Sequence, residues 1–311
     1  MNRQLDQMYW KRYYTAETVA QVEALKQDMY IDSTGVRIHM DVYEQKDRNA
    51  PVLIFNHGGG GYSRVFAPLA LAMYARGYTV VLPDQYGQGY SDGDRGDFTL
   101  GQCVQNIVDA ARWARARYSG RLFLAGGSVG GGLAYKAAAG APCDAVICHN
   151  LYNFGSARDS LAVSRFAFAS DLPLLPGIFA ASTRMMASLL PALKLPFMLL
   201  GKFESMVDER DTRFFGIWRD DPLPIKAVSL RYMASTFSTP PAVPYQKNTK
   251  RVLVINQKRD KMVSPQVTRR NYERLGGDKQ YIEIDYGHWA TGEQFISEYV
   301  EILDQYMRKE Q

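Results

Sequence analysis

The apolar and polar positions of the chain sort into short continuous apolar runs, one alternating pair and several helical stripes. Met29–Ile31 and Val36–Tyr43 alternate apolar with polar residues, which predicts a half-exposed antiparallel hairpin. Pro51–Asn56, Tyr78–Pro83, Arg121–Ala125, Asp144–His149 and Arg251–Asn256 are buried-strand runs bounded by glycine or polar turns, and Lys279–Asp285 is the last strand. Helical patterns occupy Arg64–Arg76, Thr99–Tyr118, the stretch after Ser128, Ser264 to about Leu275, and Gly292–Met307. A polar helix is expected over Ala16–Asp28, and a core helix over Pro224–Phe237. Strand and helix alternate along most of the chain. The fold class is therefore α/β, with a mostly parallel, doubly wound sheet of eight strands.

Residues 153–222 break the alternation. They are rich in Phe, Met and Leu, carry no strand signal, and are cut into short helices by Pro173, Pro176, Pro191 and Pro196. An insertion of this kind, between the sixth and seventh strands, reads as a helical cap over a ligand site. The core is then 1–152 and 223–311. Flexible Met and Leu side chains suit an adaptable apolar pocket.

Composition narrows the class without deciding it. The 311 residues are 46% hydrophobic and 22% charged, ordinary for a soluble globular protein, and the net charge of +5 gathers in no run. No nucleic-acid partner is indicated. The N-terminal stretch has no apolar signal core, and the longest apolar region, near residue 190, is interrupted by Lys194 and two prolines. No integral membrane segment is expected, and the location is read as cytoplasmic. Cys103, Cys143 and Cys148 make neither a disulfide framework nor a zinc pattern, so they are read as buried small hydrophobes and no metal is expected. Oligomeric state is left open.

The candidate chemistry lies at strand ends. Gly126-Gly127-Ser128-Val129-Gly130 is a G-x-S-x-G turn between a strand and a helix, a geometry that exposes the Ser128 hydroxyl at a helix N-terminus. The Val129 N–H and the helix dipole can there stabilise an oxyanion. His57-Gly58-Gly59-Gly60-Gly61 follows another strand, and Gly59 or Gly60 is the expected second donor. His57 is read as an anchor of that loop, and Asp84 as an acceptor within its own turn. Asp260 follows the next-to-last strand and His288 the last, so the order Ser, acid, His runs along one edge of the sheet. Asp285 is a local rival for the acid. Tyr62, His149, Tyr152, Met185 and Trp289, which flank these loops or lie in the insertion, are the candidate substrate contacts. His149, a lone histidine at a strand end, reads as structural with respect to the proton transfer itself.

On these residues the chain resembles the α/β-hydrolase superfamily over nearly its whole length, and within it the capped monoglyceride-lipase and serine-aminopeptidase-like branch. The matching pieces are His57–Gly61, the Asp84, Gly87, Gly89 and Ser91 loop, the serine turn, the Asp260, Val263 and Pro265 loop, and Gly287-His288. Gly127 and Val129 depart from the histidine and methionine common beside the nucleophile. The resemblance implies a catalytic set of Ser128, Asp260 and His288, an acyl-enzyme, no cofactor, and a small-molecule ester substrate with an apolar acyl chain. A proline-iminopeptidase-like aminopeptidase, with Glu204 and Asp208 as candidate amine sites, is the alternative. Thioesterase, lactonase or carbon–carbon bond hydrolase activity would use the same residues, and a non-enzymatic binding protein of this fold is the reading from another class.

Overall fold

The computed structural model describes residues 6–309 except 210. Its first half builds β1 (Lys26–Ser33), β2 (Val36–Tyr43), β3 (Val52–Asn56), β4 (Thr79–Pro83), β5 (Leu122–Gly127) and β6 (Ala145–His149). The helices α1 (Ala16–Leu25), α2 (Ala67–Ala75), α3 (Leu100–Arg117) and α4 (Val129–Ala137) alternate with them. After the insertion come β9 (Arg251–Gln257), α10 (Pro265–Arg274), β10 (Lys279–Ile284) and α11 (Glu293–Arg308). Eight strands form one sheet in the order β1-β2-β4-β3-β5-β6-β9-β10. Only β1 and β2 run against their neighbours. This is the α/β-hydrolase fold.

Local sequence explains most of these elements. β3, β4 and β6 bury every residue, as continuous apolar runs with helices on both faces must. Thr99 caps α3 in a reciprocal capping box with Gln102. One boundary differs from expectation: the polar helix stops at Leu25, because Lys26–Ser33 pairs along its full length with β2. An eight-residue cross-strand ladder outweighs the helical tendency of Lys26-Gln27-Asp28.

Between β6 and β9 lie α5 (Ala157–Ala162), α6 (Leu175–Leu189), β7 (Lys194–Pro196), α7 (Phe197–Leu200), α8 (Thr212–Asp220), β8 (Ala227–Ser229) and α9 (Leu230–Thr236), so the segment outside the main sheet runs past residue 222. Pro176 opens α6 rather than breaking it, since the first turn does not need the missing N–H. A strandless insertion and a core helix from Pro224 were expected. Instead β7 and β8 pair antiparallel, and α9 packs against α6. Three-residue strands are too short to show an alternation, which is why the pattern hid them. Among the described residues no helix is long and apolar enough to cross a membrane.

Candidate active site

Ser128 sits between β5 and α4 with φ 54° and ψ −123°, a backbone conformation that costs a non-glycine residue on the order of 1–3 kcal/mol. The turn is possible because its neighbours at −2 and +2 have no side chain. A Cβ on Gly126 would lie 2.4 Å from the Gly130 carbonyl, and one on Gly130 would lie 2.2 Å from Asn56 O. Gly127, between them, has only Phe55 within 4 Å, so no backbone contact demands glycine there. The Ser128 N–H donates to His149 O at 2.8 Å, tying the turn to the end of β6.

His288 leaves the end of β10 and meets the serine. Its Nε2 lies 3.0 Å from Ser128 Oγ and its Nδ1 lies 2.7 Å from Asp260 Oδ2. An ionised carboxylate only accepts, so Nδ1 carries the proton and Nε2 is left to accept from the Ser128 hydroxyl. Asp260 is held in turn: Met262 N–H and Val263 N–H donate to Oδ1 at 2.9 and 2.7 Å, and Asn150 Nδ2 donates to Oδ2 at 3.3 Å. With the imidazole, four donors converge on one carboxylate. Asp285, the rival acid, is exposed and pairs with Arg259 instead.

Asn150 and Gln257 belong to this assembly and were not anticipated. Asn150 adopts φ 66°, in the left-handed region that Asn tolerates, and its Nδ2 also donates to Gln257 Oε1 at 3.1 Å. Gln257 Nε2 donates to the backbone oxygen of His288 at 2.8 Å.

The glycine loop packs on the serine turn, with a Cβ on Gly58 only 3.1 Å from Ser128 Cβ. His57 anchors it: Nδ1–H donates to Gly58 O at 2.9 Å, and Nε2 accepts from Gln85 N–H at 3.1 Å. Burial holds its pKa below the ordinary histidine value, which suits this neutral role. Asp84 lies wholly buried and accepts from Tyr90 N–H in its own turn, and also from Ser63 N–H and His39. Val129 is the first residue of α4, so its N–H has no acceptor a turn earlier within the helix. Gly59 lines the cavity in front of Ser128, whereas Gly60 is turned away, its carbonyl accepting from Trp218 Nε1 at 2.6 Å.

The cavity encloses about 200 Å³ between core and insertion. Phe55, Phe66, Phe179, Phe197 and Phe237 line it, and among the described lining residues there is no Asp, Glu, Lys or Arg. His149, Tyr152 and Trp289 are in its wall. Tyr152 Oη stands 3.4 Å from Ser128 Oγ, and burial pushes its phenol up, so it stays protonated. Burial, with the nearby His288, lowers the His149 pKa to about 4, so this imidazole is neutral at pH 7. The other two expected contacts do not reach the cavity. Tyr62 is fully buried with its hydroxyl on Asp221, and Met185 is 63% exposed on the outer face of α6.

One group of side chains could converge on a cation among the described residues: Asp28, His39 and Asp41. The Arg64 guanidinium already lies against both carboxylates. Burial opposes a charge on His39, but hydrogen bonds to Asp28 and Asp84 raise its pKa to about 9, so it is a donor rather than a ligand.

Residues 47–289 match the family model described as serine aminopeptidase, S33. A curated relative from Escherichia coli, an uncharacterized 31.7 kDa protein of the traX-finO intergenic region, is 32% identical over 111 residues, 34% of this chain. The chain spans only 38% of that relative's length. The monoglyceride lipase of Saccharomyces cerevisiae, solved as a soluble variant with a substrate analog, superposes with a TM-score of 0.71 at 15% identity, covering 92% of this chain and 95% of that one. The monoacylglycerol lipase of Paleococcus ferrophilus gives 0.66 at 20% identity over 86% and 98%. An enol-lactonase from Burkholderia xenovorans gives 0.62 at 18% over 90% and 100%. At these identities the shared property is the fold.

Proposed function

The chain belongs to the S33 serine aminopeptidase family of α/β hydrolases, and we propose that it hydrolyses carboxylic esters with an apolar acyl group. The observation that carries this reading is the uncharged, aromatic cavity that opens directly onto the Ser128–His288–Asp260 relay. His288 takes the Ser128 proton as the oxygen attacks the ester carbonyl. Val129 N–H and Gly59 N–H hold the oxyanion, and Asp260 stabilises the imidazolium. His288 then protonates the leaving alcohol, and water repeats the sequence to release the acid. Residues 153–222 serve as the cap that shapes the acyl wall.

The family's description favours an amide substrate, but an aminopeptidase needs a carboxylate for the substrate amine. Both candidates are engaged elsewhere: Glu204 pairs with Arg165, and Asp208 accepts from Gly287 N–H and Arg259. A p-nitrophenyl ester series from acetate to palmitate, run on wild type and Ser128→Ala, tests the proposal. Serine-dependent turnover peaking at one chain length is expected, with a loss in Ser128→Ala of at least about 10³-fold. Turnover of proline naphthylamide with no ester hydrolysis at any length would replace this reading with the aminopeptidase one.

A further inference from the structure

The insertion touches the proton relay through one short segment. Asp208 N–H donates to Trp289 O at 2.8 Å, and Val207 pairs with Trp289 in a parallel bridge. Gly287 N–H donates to Asp208 Oδ2 at 2.5 Å, and Thr291 N–H to Asp211 Oδ2 at 3.1 Å. His288 thus lies within a stretch of five residues that is held from both sides by the inserted segment. Gly287 allows the approach, since a Cβ there would lie 3.1 Å from Asp208 Cα.

The same carboxylate reaches the acid loop. Arg259 Nη2 donates to Asp208 Oδ2 at 3.3 Å and to Asp285 O at 3.0 Å, and Arg259 N–H donates to Tyr286 O at 3.1 Å. Arg259 immediately precedes Asp260, as Gly287 immediately precedes His288. On the other side of Asp260, Lys261 pairs with Glu209. Asp208 is 3% exposed, and a buried carboxylate with such partners holds its place firmly.

We infer that Asp208 is a positioning residue that ties the seating of the insertion over the cavity to the alignment of His288 with Asp260 and Ser128. The relay is set when Val207, Asp208, Glu209 and Asp211 are docked, and lifting them releases the loops carrying both acid and base. This inference rests on the hydrolase reading above and adds a coupling to it.

The test is the rate at which a fluorophosphonate labels Ser128, a readout of relay alignment that requires no knowledge of the substrate, alongside kcat and KM for p-nitrophenyl acetate. Misplacing a reacting group by about 1 Å can cost about 10²-fold. Asp208→Asn keeps the shape and an acceptor for Gly287 N–H. It should slow labelling and kcat about tenfold while KM stays within about threefold. Asp208→Ala should lose about 10²-fold, and Arg259→Met should resemble Asp208→Asn, with the double variant no worse than either alone. Asp171→Asn, at the exposed ion pair with Arg158 elsewhere in the insertion, should change neither rate. Asp208→Asn and Arg259→Met labelling within twofold of a wild type that labels well would overturn the inference alone, even if Asp208→Ala failed to fold. A wild type that does not label at all would overturn the hydrolase reading, and the inference with it.

Discussion

The parallel strands and the inserted helices use apolar residues in opposite ways. β3, β4 and β6 expose nothing, and β5 and β9 are buried except at one end. Among the described residues sixteen large hydrophobic side chains are exposed, and thirteen of them fall between Phe166 and Leu199. On α6 only Ala180 and Thr183 are buried, while Ile178, Met185 and Leu189 face outward. In the sheet an apolar residue is required by the fold, since helices cover both faces. On α6 and its flanks much of the apolar surface is exposed, while Phe197, Phe203, Phe214 and Trp218 of the same insertion are buried, so α6 leans more on a few specific ties than the sheet does.

The largest effect that would sharpen this contrast is expected at the serine turn. Gly130→Ala puts a Cβ 2.2 Å from Asn56 O and 2.5 Å from His57 O, both backbone atoms of the strand end that leads into the glycine loop. Neither can move without displacing β3 or the loop. A loss of about 4 kcal/mol or more is expected, read as a collapse of the thermal midpoint or the absence of folded protein. A variant that melts near wild type would mean that the turn yields far more easily than its packing implies.

Next in size is a pair of truncations. Ile147→Ala, in the fully buried β6, should cost about 2–5 kcal/mol in urea unfolding. Leu189→Ala, at 74% exposure on α6, should stay within about 0.5 kcal/mol. Equal losses at the two sites would erase the distinction.

The contrast also decides what could be read from the sequence. A continuous apolar run such as VLIFN or AVICH has one interpretation inside an alternating chain, so the parallel strands were legible to within two residues of their ends, while Lys26–Asp28 of β1 read as helix. Ser128, Asp260 and His288 were legible because strand ends on one edge of a sheet meet in space. Gly126 and Gly130 were legible as spacing, while the closeness of their backbones to each other and to Asn56 was not. Asn150 and Gln257 act through hydrogen bonds to residues far along the chain, and no local pattern encodes such partners. The insertion was legible as an interruption only. Its β7–β8 ladder is three residues long, and apolar residues exposed at helical spacing look the same in sequence as buried ones, so Met185 could not be placed.

Lys136 offers a test of how the insertion is tied at its base. Its ammonium, buried on α4, donates to Phe154 O at 2.7 Å and to Thr239 O, one carbonyl before α5 and one after α9. Lys136→Met would strand both carbonyls and should cost about 1–3 kcal/mol. Burial also lowers the lysine pKa to about 7, against ~10.4 in an unfolded chain. Between those values the folded state holds fewer protons than the unfolded one, so this group's contribution to stability increases as pH rises. The gap between wild type and Lys136→Met should therefore widen from about pH 7 to about pH 9 in urea titrations. A gap that narrows would mean that the charge, rather than the donated hydrogen bonds, holds the two segments.

The smallest expected effect asks whether sheet and insertion unfold together. Gly177 lies in the first turn of α6 with nothing within 4 Å of a prospective Cβ, and its φ is not in the left-handed region. Alanine there removes backbone freedom from the unfolded chain without creating a contact, a gain of about 0.5–1 kcal/mol for the helix. Whether the whole protein registers that gain depends on cooperativity, because a helix that melts ahead of the sheet cannot raise the sheet's midpoint. The ties at Lys136 and Asp208 join the insertion to α4 and to the loops at the ends of β9 and β10, so a single transition is expected. Gly177→Ala should then raise the thermal midpoint by about 1–3 °C. A midpoint that does not move, beside a helical signal lost earlier in the melt and delayed by the substitution, would mean that the outward-facing apolar helices form a separate unit, resting on the sheet without sharing its stability.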